Sequence, residues 1–170
     1  HGSAKVGVNV TTNSTDFYVK GTQSIKLSST SVGLPPLYEK FAAGNLFAGE
    51  YLYTDGTDGV LGFGRDFFSR PKALHGYVRY ISGKVDNGDK IAIGSQDQGI
   101  IYVALSDKEK ETEPKTGKSY PYIIRTKSEE LFDPSDKNII TYGEKVFMAS
   151  TGGNGLIEFT IELEYSSENR

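Results

Sequence analysis

The sequence predicts an all-β protein, built as an antiparallel sandwich or barrel. Three observations lead there. Apolar residues recur at every second position in several short segments, a period of two that puts them on one face of a strand. Those segments favour β-branched and aromatic side chains, and the chain carries 11 Tyr and 9 Phe to fill a core. Finally, 20 Gly and 6 Pro cut the sequence into short pieces with turns between them.

Each segment follows from the same rules. SIKLSS (residues 24–29) alternates Ile25 and Leu27 with polar neighbours. FAAGNLFAGEYLY (residues 41–53) starts small, ends aromatic and runs into Asp55-Gly56-Thr57-Asp58-Gly59, a strong turn signal. ALHGYVRYI (residues 73–81) stops at Ser82-Gly83, and GIIYVALSD (residues 99–107) is apolar enough for a strand buried on both faces. The polar stretch DKEKETEPKTGKS (residues 107–119) reads as a long surface loop, because the strands on either side are too few to close separate cores. YPYIIRT (residues 120–126) is the next strand. Ser128 to Phe132 fits a single helical turn, stopped by Pro134, which disfavours helix at Asp133. EKVFMAS (residues 144–150) precedes the clearest strand, GLIEFTIELEY (residues 155–165). There Ile157, Phe159, Ile161, Leu163 and Tyr165 alternate with Glu158, Thr160, Glu162 and Glu164.

Size and charge narrow the function classes. The chain of 170 residues reads as one domain over residues 1–170, with His1-Gly2-Ser3 a cloning or cleavage remnant. With 19 Lys and Arg against 22 Asp and Glu the net charge is -3, unlike the basic stripe of a nucleic-acid module. No apolar run is long enough for a membrane span. The absence of Cys excludes disulfides, zinc-thiolate sites and Cys nucleophiles.

Few residues offer conventional catalysis. His75 is the single internal His, and there is no Gly-x-Ser-x-Gly nucleophile elbow. Gly62-Phe63-Gly64 and Gly152-Gly153-Asn154-Gly155 lack the strand-to-helix setting of a phosphate loop and read as turns. Asp55, Asp58, Asp86 and Asp89 stand in turn sequences and offer oxygen ligands for a structural Ca²⁺. They miss the Asp-x-Asp-x-Asp-Gly spacing, so the expectation is no cofactor. Asn9-Val10-Thr11 and Asn13-Ser14-Thr15 match the short N-glycosylation pattern. Glu158, Glu162 and Glu164 share one strand face. Neighbours two residues apart there lie about 6.6 Å apart, within the separation a glycosidase pair uses.

The aromatic residues point to a ligand class. Tyr77 shares a strand face with His75 and Arg79, opposite Leu74, Gly76, Val78 and Tyr80. A ring beside hydrogen-bonding groups suits a sugar, whose C–H face packs on the ring while its hydroxyls bond the polar neighbours. Tyr120 and Tyr122 share another strand face, where core packing is the competing reading. Arg70, extended by the following Pro71, is either a clamp between loops or a bidentate donor to a glycan. Gly76 in mid-strand implies a bulge or the close approach of another group.

FAAGNLFAGEY, FSRPKALHGYVRY (residues 68–80), GIIYVALSD, ITYGEKVF (residues 140–147) and GLIEFTIELEY occur in an order that resembles the putative carbohydrate metabolism domain of bacterial surface lipoproteins. The resemblance runs from SIKLSS to the end of the chain. It implies a galactose-binding-like β jelly roll and a role in glycan capture or breakdown, and it transfers no catalytic residue. Such domains continue past the last strand here with a Gly- and Ser-rich segment and a further strand. The expectation is therefore a jelly roll lacking its last strands, with the open edge covered by a loop, a neighbouring chain or the N-terminal segment.

Together these readings predict a glycan-binding domain of a bacterial cell-surface protein, with Arg70, His75, Tyr77 and Arg79 holding an oligo- or polysaccharide. Two alternatives stand: a glycoside hydrolase using Glu158, Glu162 and Glu164, and a structural or adhesive module without a small ligand. The expected location is the cell surface or periplasm, anchored through a removed N-terminal lipoprotein signal. Other surface glycan-utilisation proteins are the expected partners, and nucleic acid is not.

Overall fold

In the computed structural model, residues 10–34, 38–56, 58–86 and 91–165 are described. Residues 1–3, Asn9, Asp89 and residues 166–170, on which several expectations rest, lie outside them. Among the described residues thirteen strands and one 3₁₀ turn follow in order: β1 (Thr11–Ser14), β2 (Ser24–Leu27), β3 (Thr30–Leu34), β4 (Tyr38–Ala42), β5 (Gly49–Asp55), β6 (Asp58–Phe63) and β7 (Ala73–Val78). Then come β8 (Gly99–Ser106), β9 (Glu111–Thr112), β10 (Ser119–Tyr120), β11 (Tyr122–Arg125), the 3₁₀ turn (Thr126–Ser128), β12 (Ile139–Phe147) and β13 (Ile157–Glu162). The protein is all-β, and every pairing with a recorded register is antiparallel. Among the described residues no helix is long and apolar enough to cross a membrane.

The chain clusters into two compact units. The first holds His1–Leu46, Tyr77–Gln98 and Met148–Ile157, and the second holds Phe47–Gly76, Gly99–Phe147 and Glu158–Arg170. In the first unit β1 pairs with β2 and β3 with β4. SIKLSS forms β2 as its alternation predicts, yet both Ile25 and Leu27 remain exposed. Asp97 organises the loops here, with one carboxylate oxygen accepting from the Tyr80 hydroxyl at 2.9 Å, the Ser82 hydroxyl at 2.7 Å and the Gly83 N–H at 2.6 Å. The Ser82 hydroxyl, first among these donors, holds the carboxyl below the ordinary Asp range.

In the second unit β5, β6 and β11 make a three-stranded sheet with β6 in the middle. The β5–β6 hairpin sets Asp55 opposite Asp58, with Gly56 at φ +69° where a side chain is strained. Val60, Tyr120 and Ile123 form a buried cluster, with Leu52 and Tyr53 packed against it. β8 pairs with β12, and β7 with β13. Along β13 and the residues after it the predicted alternation holds from Phe159 onward, with Ile161 and Leu163 buried and Glu158, Glu162 and Glu164 facing solvent, but Ile157, expected on the inner face, is 41% exposed. Gly76 supplies the close approach its mid-strand position implied. A Cβ there would stand 2.8 Å from two ring carbons of Phe159.

Several elements differ from the sequence reading. FAAGNLFAGEYLY is split, because β4 ends at Ala42 and β5 begins at Gly49. GIIYVALSD was expected to be buried on both faces, but Ile100 and Tyr102 are exposed on one side of β8. The polar run 107–119 is more than a loop, since it holds the β9–β10 ladder and turns Glu113 inward to 4% exposure. The helical turn forms two residues early, over Thr126–Ser128, and Glu129 at φ +57° ends it in the left-handed region.

Candidate functional site

Strand β11 sets the second unit's candidate site. Its first three residues, Tyr122, Ile123 and Ile124, are buried, so the strand is fixed and delivers Arg125 at its end. Arg125 and Glu130 exchange backbone hydrogen bonds, Arg125 N–H to Glu130 O at 3.0 Å and Glu130 N–H to Arg125 O at 3.1 Å, which closes the 3₁₀ turn into a loop. The guanidinium forks between two carboxylates, reaching Glu113 at 2.6 Å and Glu130 at 2.9 Å.

Glu113 is the inward member of that fork. Burial pushes its carboxyl up, but the Lys115 N–H, the Tyr53 hydroxyl at 3.1 Å and Arg125 together outweigh burial and hold it below the ordinary Glu range. Arg125 likewise holds the Glu130 carboxyl low. A buried acid with this many donors stays ionised and fixes the position of the Arg that faces it.

Beside Arg125 opens a half-open cleft of about 330 Å³. Its polar lining includes Lys108, Tyr122, Arg125, Asp133 and Asp136, and Glu111 and Glu130 add two more carboxylates. Asp133 accepts from the Ser135 hydroxyl at 2.6 Å and N–H at 2.8 Å, and Asp136 from the Asn138 N–H and amide at 2.8 Å. These bonds fold the loop and hold both carboxyls low, Ser135 acting first on Asp133 and the Asn138 N–H first on Asp136. Lys108 lies 3.7 Å from Asp136 and 4.4 Å above the Tyr122 ring. The charges are thus of both signs, and Lys108, Arg125, Glu130, Asp133 and Asp136 are each held by a second group.

Tyr122 continues into a row of rings. Phe132 meets it edge-on with centroids 5.3 Å apart and stacks on Tyr102 at 5.4 Å, while Tyr102 tilts against Tyr142 at 6.0 Å. The Tyr122 hydroxyl lies 3.0 Å from Ser106 Oγ, so the ring is fixed at both ends. Burial, then the hydrogen bond to Glu144, pushes the Tyr142 phenol up to about 12.

The residues singled out in sequence are distributed differently. In the second unit the Arg70 guanidinium lies over the Tyr165 ring at 5.6 Å, and the Tyr165 hydroxyl donates to the Pro71 carbonyl at 2.8 Å. His75 is exposed and pairs through Nε2 with Glu158. Glu158, Glu162 and Glu164 stand in solvent on one side of the strand. Tyr120 and Tyr122 are both buried, Tyr120 donating to Glu50 at 2.6 Å. In the first unit Tyr77 is 44% exposed, and the Arg79 guanidinium covers the Phe17 ring at 4.7 Å. Asp55 pairs with Lys127 at 3.1 Å, and Asp58 Oδ1 accepts from the Thr126 hydroxyl at 3.4 Å. Among the described residues no three His, Asp or Glu side chains converge as a metal site would need.

Sequence reasoning missed Lys108, Arg125, Glu130, Asp133 and Asp136. The available signal was Asp-Pro-Ser-Asp (residues 133–136) directly after Phe132, a dense turn sequence carrying an aromatic residue between two strands. Comparison with known proteins adds one finding and two blanks. No curated protein and no solved structure matches. The family model described as putative carbohydrate metabolism domain matches residues 3–170, so the chain belongs to that family, and the fold and cleft above are those of one of its members.

Proposed function

We propose that the domain binds a saccharide without cleaving it, and that the sugar enters the cleft beside Arg125. The observation that supports this most is one cleft in which a buried Tyr, continued by a row of rings, meets pre-positioned charges of both signs. A saccharide presents apolar C–H faces and a fan of hydroxyls. The Tyr122 ring and Leu131 suit the first, while Lys108 donates to hydroxyls and Asp133 accepts from them. The volume lies at the small end of ligand sites, about 300–1,000 Å³, and suits a terminal sugar better than the middle of a long chain. Because ion pairs and turns already hold the polar groups, little ordering cost remains at binding. Family membership supports carbohydrate as the ligand class.

An array of plant, microbial and host oligosaccharides, followed by calorimetry with the best-bound member, tests the reading. Lys108→Ala and Asp133→Asn are each expected to weaken binding about tenfold, the share of one charge-assisted hydrogen bond. Unchanged affinity in both variants, with the fold intact by thermal melting, overturns the assignment. A second reading keeps the sugar on β7, with Arg70, His75, Tyr77 and Arg79 as its contacts. The exposure of His75 and Tyr77 along that strand favours it. Loss of binding in Tyr77→Ala, with Lys108→Ala unaffected, moves the site there. Release of reducing sugar, abolished by a single Glu→Gln change at Glu158, Glu162 or Glu164, replaces binding by hydrolysis. The proposed setting is a bacterial cell surface or periplasm, which fractionation of cells making the full-length protein tests.

A further inference from the structure

Between β6 and β7, residues 65–70 present two adjacent phenylalanines to solvent. Phe68 is 95% exposed and Phe67 is 58% exposed. Single exposed apolar residues are ordinary on protein surfaces. This pair is different because the chain on both sides of it is pinned. At the start the Gly64 N–H donates to Ala48 O at 2.8 Å and the Arg65 guanidinium donates to Gly49 O at 2.8 Å. At the far end the Tyr165 hydroxyl holds Pro71 O at 2.8 Å, and the Leu163 N–H holds Lys72 O at 2.9 Å. The rings between these anchors bury little, so they add little to the stability of the fold. A fixed loop that displays apolar surface needs another surface to cover it.

The surrounding charge identifies that surface. In this loop and its ionic contacts, Arg65, Arg70 and Lys110 stand against Asp66, and Lys72 follows directly after Pro71. Asp66 is paired with Lys110 at 2.7 Å, which leaves Arg65, Arg70 and Lys72 as the cations flanking the two rings. Four cations against one carboxylate make a basic spot on a chain whose net charge is -3. We propose that this loop docks the domain on an anionic lipid surface, Phe67 and Phe68 entering the boundary between headgroups and acyl chains while Arg65, Arg70 and Lys72 meet the phosphates. A protein partner is the weaker fit. A stable protein contact covers about 800 Å² on each side, whereas two rings on a short loop form a projection that suits penetration of a soft layer. This inference is independent of where the saccharide binds.

Flotation with phosphatidylcholine vesicles, with and without phosphatidylglycerol, tests it on the full chain. The expected result is binding to the anionic vesicles alone, weakened by salt. F67S/F68S is expected to lose at least about tenfold of that binding, with its melting unchanged because both rings face solvent. Phe41→Ser, an exposed Phe in the other unit, serves as the control and keeps binding. The protein has no Trp, so Phe68→Trp supplies a single reporter whose emission shifts to the blue on the same vesicles. Absence of vesicle binding, binding unaffected by the double change, or an unshifted Trp overturns the proposal. So does a concentration-dependent dimer, abolished by F67S/F68S, that forms without lipid.

Discussion

Gly76→Ala probes the packing of β7 against β13 with one added carbon. Gly76 lies in a strand and is not among the residues with positive φ, so Ala meets no backbone strain. The new Cβ would stand 2.8 Å from Cε1 and Cζ of Phe159, against about 3.5 Å or more for comfortable carbon contacts. The ring must therefore retreat by about 0.7 Å. Overpacking of this kind costs about 1–3 kcal/mol. Replacing Gly also stiffens the unfolded chain, which returns about 0.4–1 kcal/mol. Phe159 is half-buried and its far edge can move, so the net loss is expected near 1–2 kcal/mol. For a chain of this size that corresponds to a Tm lower by about 2–8 °C. Phe159→Leu removes the obstructing edge, and the double variant is expected to be more stable than the sum of the singles by about 1 kcal/mol. Thermal and urea unfolding of the four proteins reads the cycle. A Gly76→Ala variant as stable as the parent, or singles that add within about 0.5 kcal/mol, refutes the account of this glycine.

Two further predictions concern pH. The Glu113 carboxyl is held below its ordinary value of 4.5 in the fold, so its stabilising contribution is present above that value and is lost as pH falls through the lower folded value. Urea unfolding between neutral and strongly acid pH is expected to show stability falling below about 4.5, and Glu113→Gln is expected to make that fall shallower. Identical slopes for the two proteins would falsify the assignment. At the alkaline end, Tyr142 stays neutral in the fold up to about 12, against 10.0 ordinarily, so its contribution is whole below 10.0 and is lost as pH rises toward 12. Ultraviolet titration of the phenols should place Tyr142 among the last to ionise, and Tyr142→Phe should remove that late step; a titration curve that keeps it contradicts the burial argument.

The fold class was legible because its signal is local. The alternation of GLIEFTIELEY identifies a strand and its inner face without reference to anything distant, and Ile161 and Leu163 are buried accordingly. The need for space at Gly76 was legible too, but Phe159 as the group that fills it was not, since pairing between distant strands is not a local property. For the same reason the wet face of β13 gave no sign that Glu158 would meet His75. GIIYVALSD misled because an unbroken apolar run does not reveal whether both its faces are covered, and Ile100 and Tyr102 are not. The charged run 107–119 concealed Glu113, whose burial depends on Arg125 and Tyr53 arriving from elsewhere. Charge in a sequence predicts exposure unless a partner is visible, and here the partner lies twelve residues on.

The candidate cleft draws its order from that buried acid. Tyr122, Ile123 and Ile124 lock β11 into the core, so Arg125 leaves the strand from a fixed point. Glu113 holds one arm of the guanidinium and Glu130 the other, while the backbone bridge between residues 125 and 130 fixes the loop that follows. Only then do the Asp133 and Asp136 turns have a constant frame against Lys108 and Tyr122. Charge reversal at the exposed end, Glu130, leaves the buried anchor in place, whereas neutralising Glu113 releases the guanidinium from its inward partner and loosens the whole lining. Acid that protonates Glu113 therefore acts on the same structure that shapes the cleft, so saccharide affinity and acid stability should decline over one pH range rather than two.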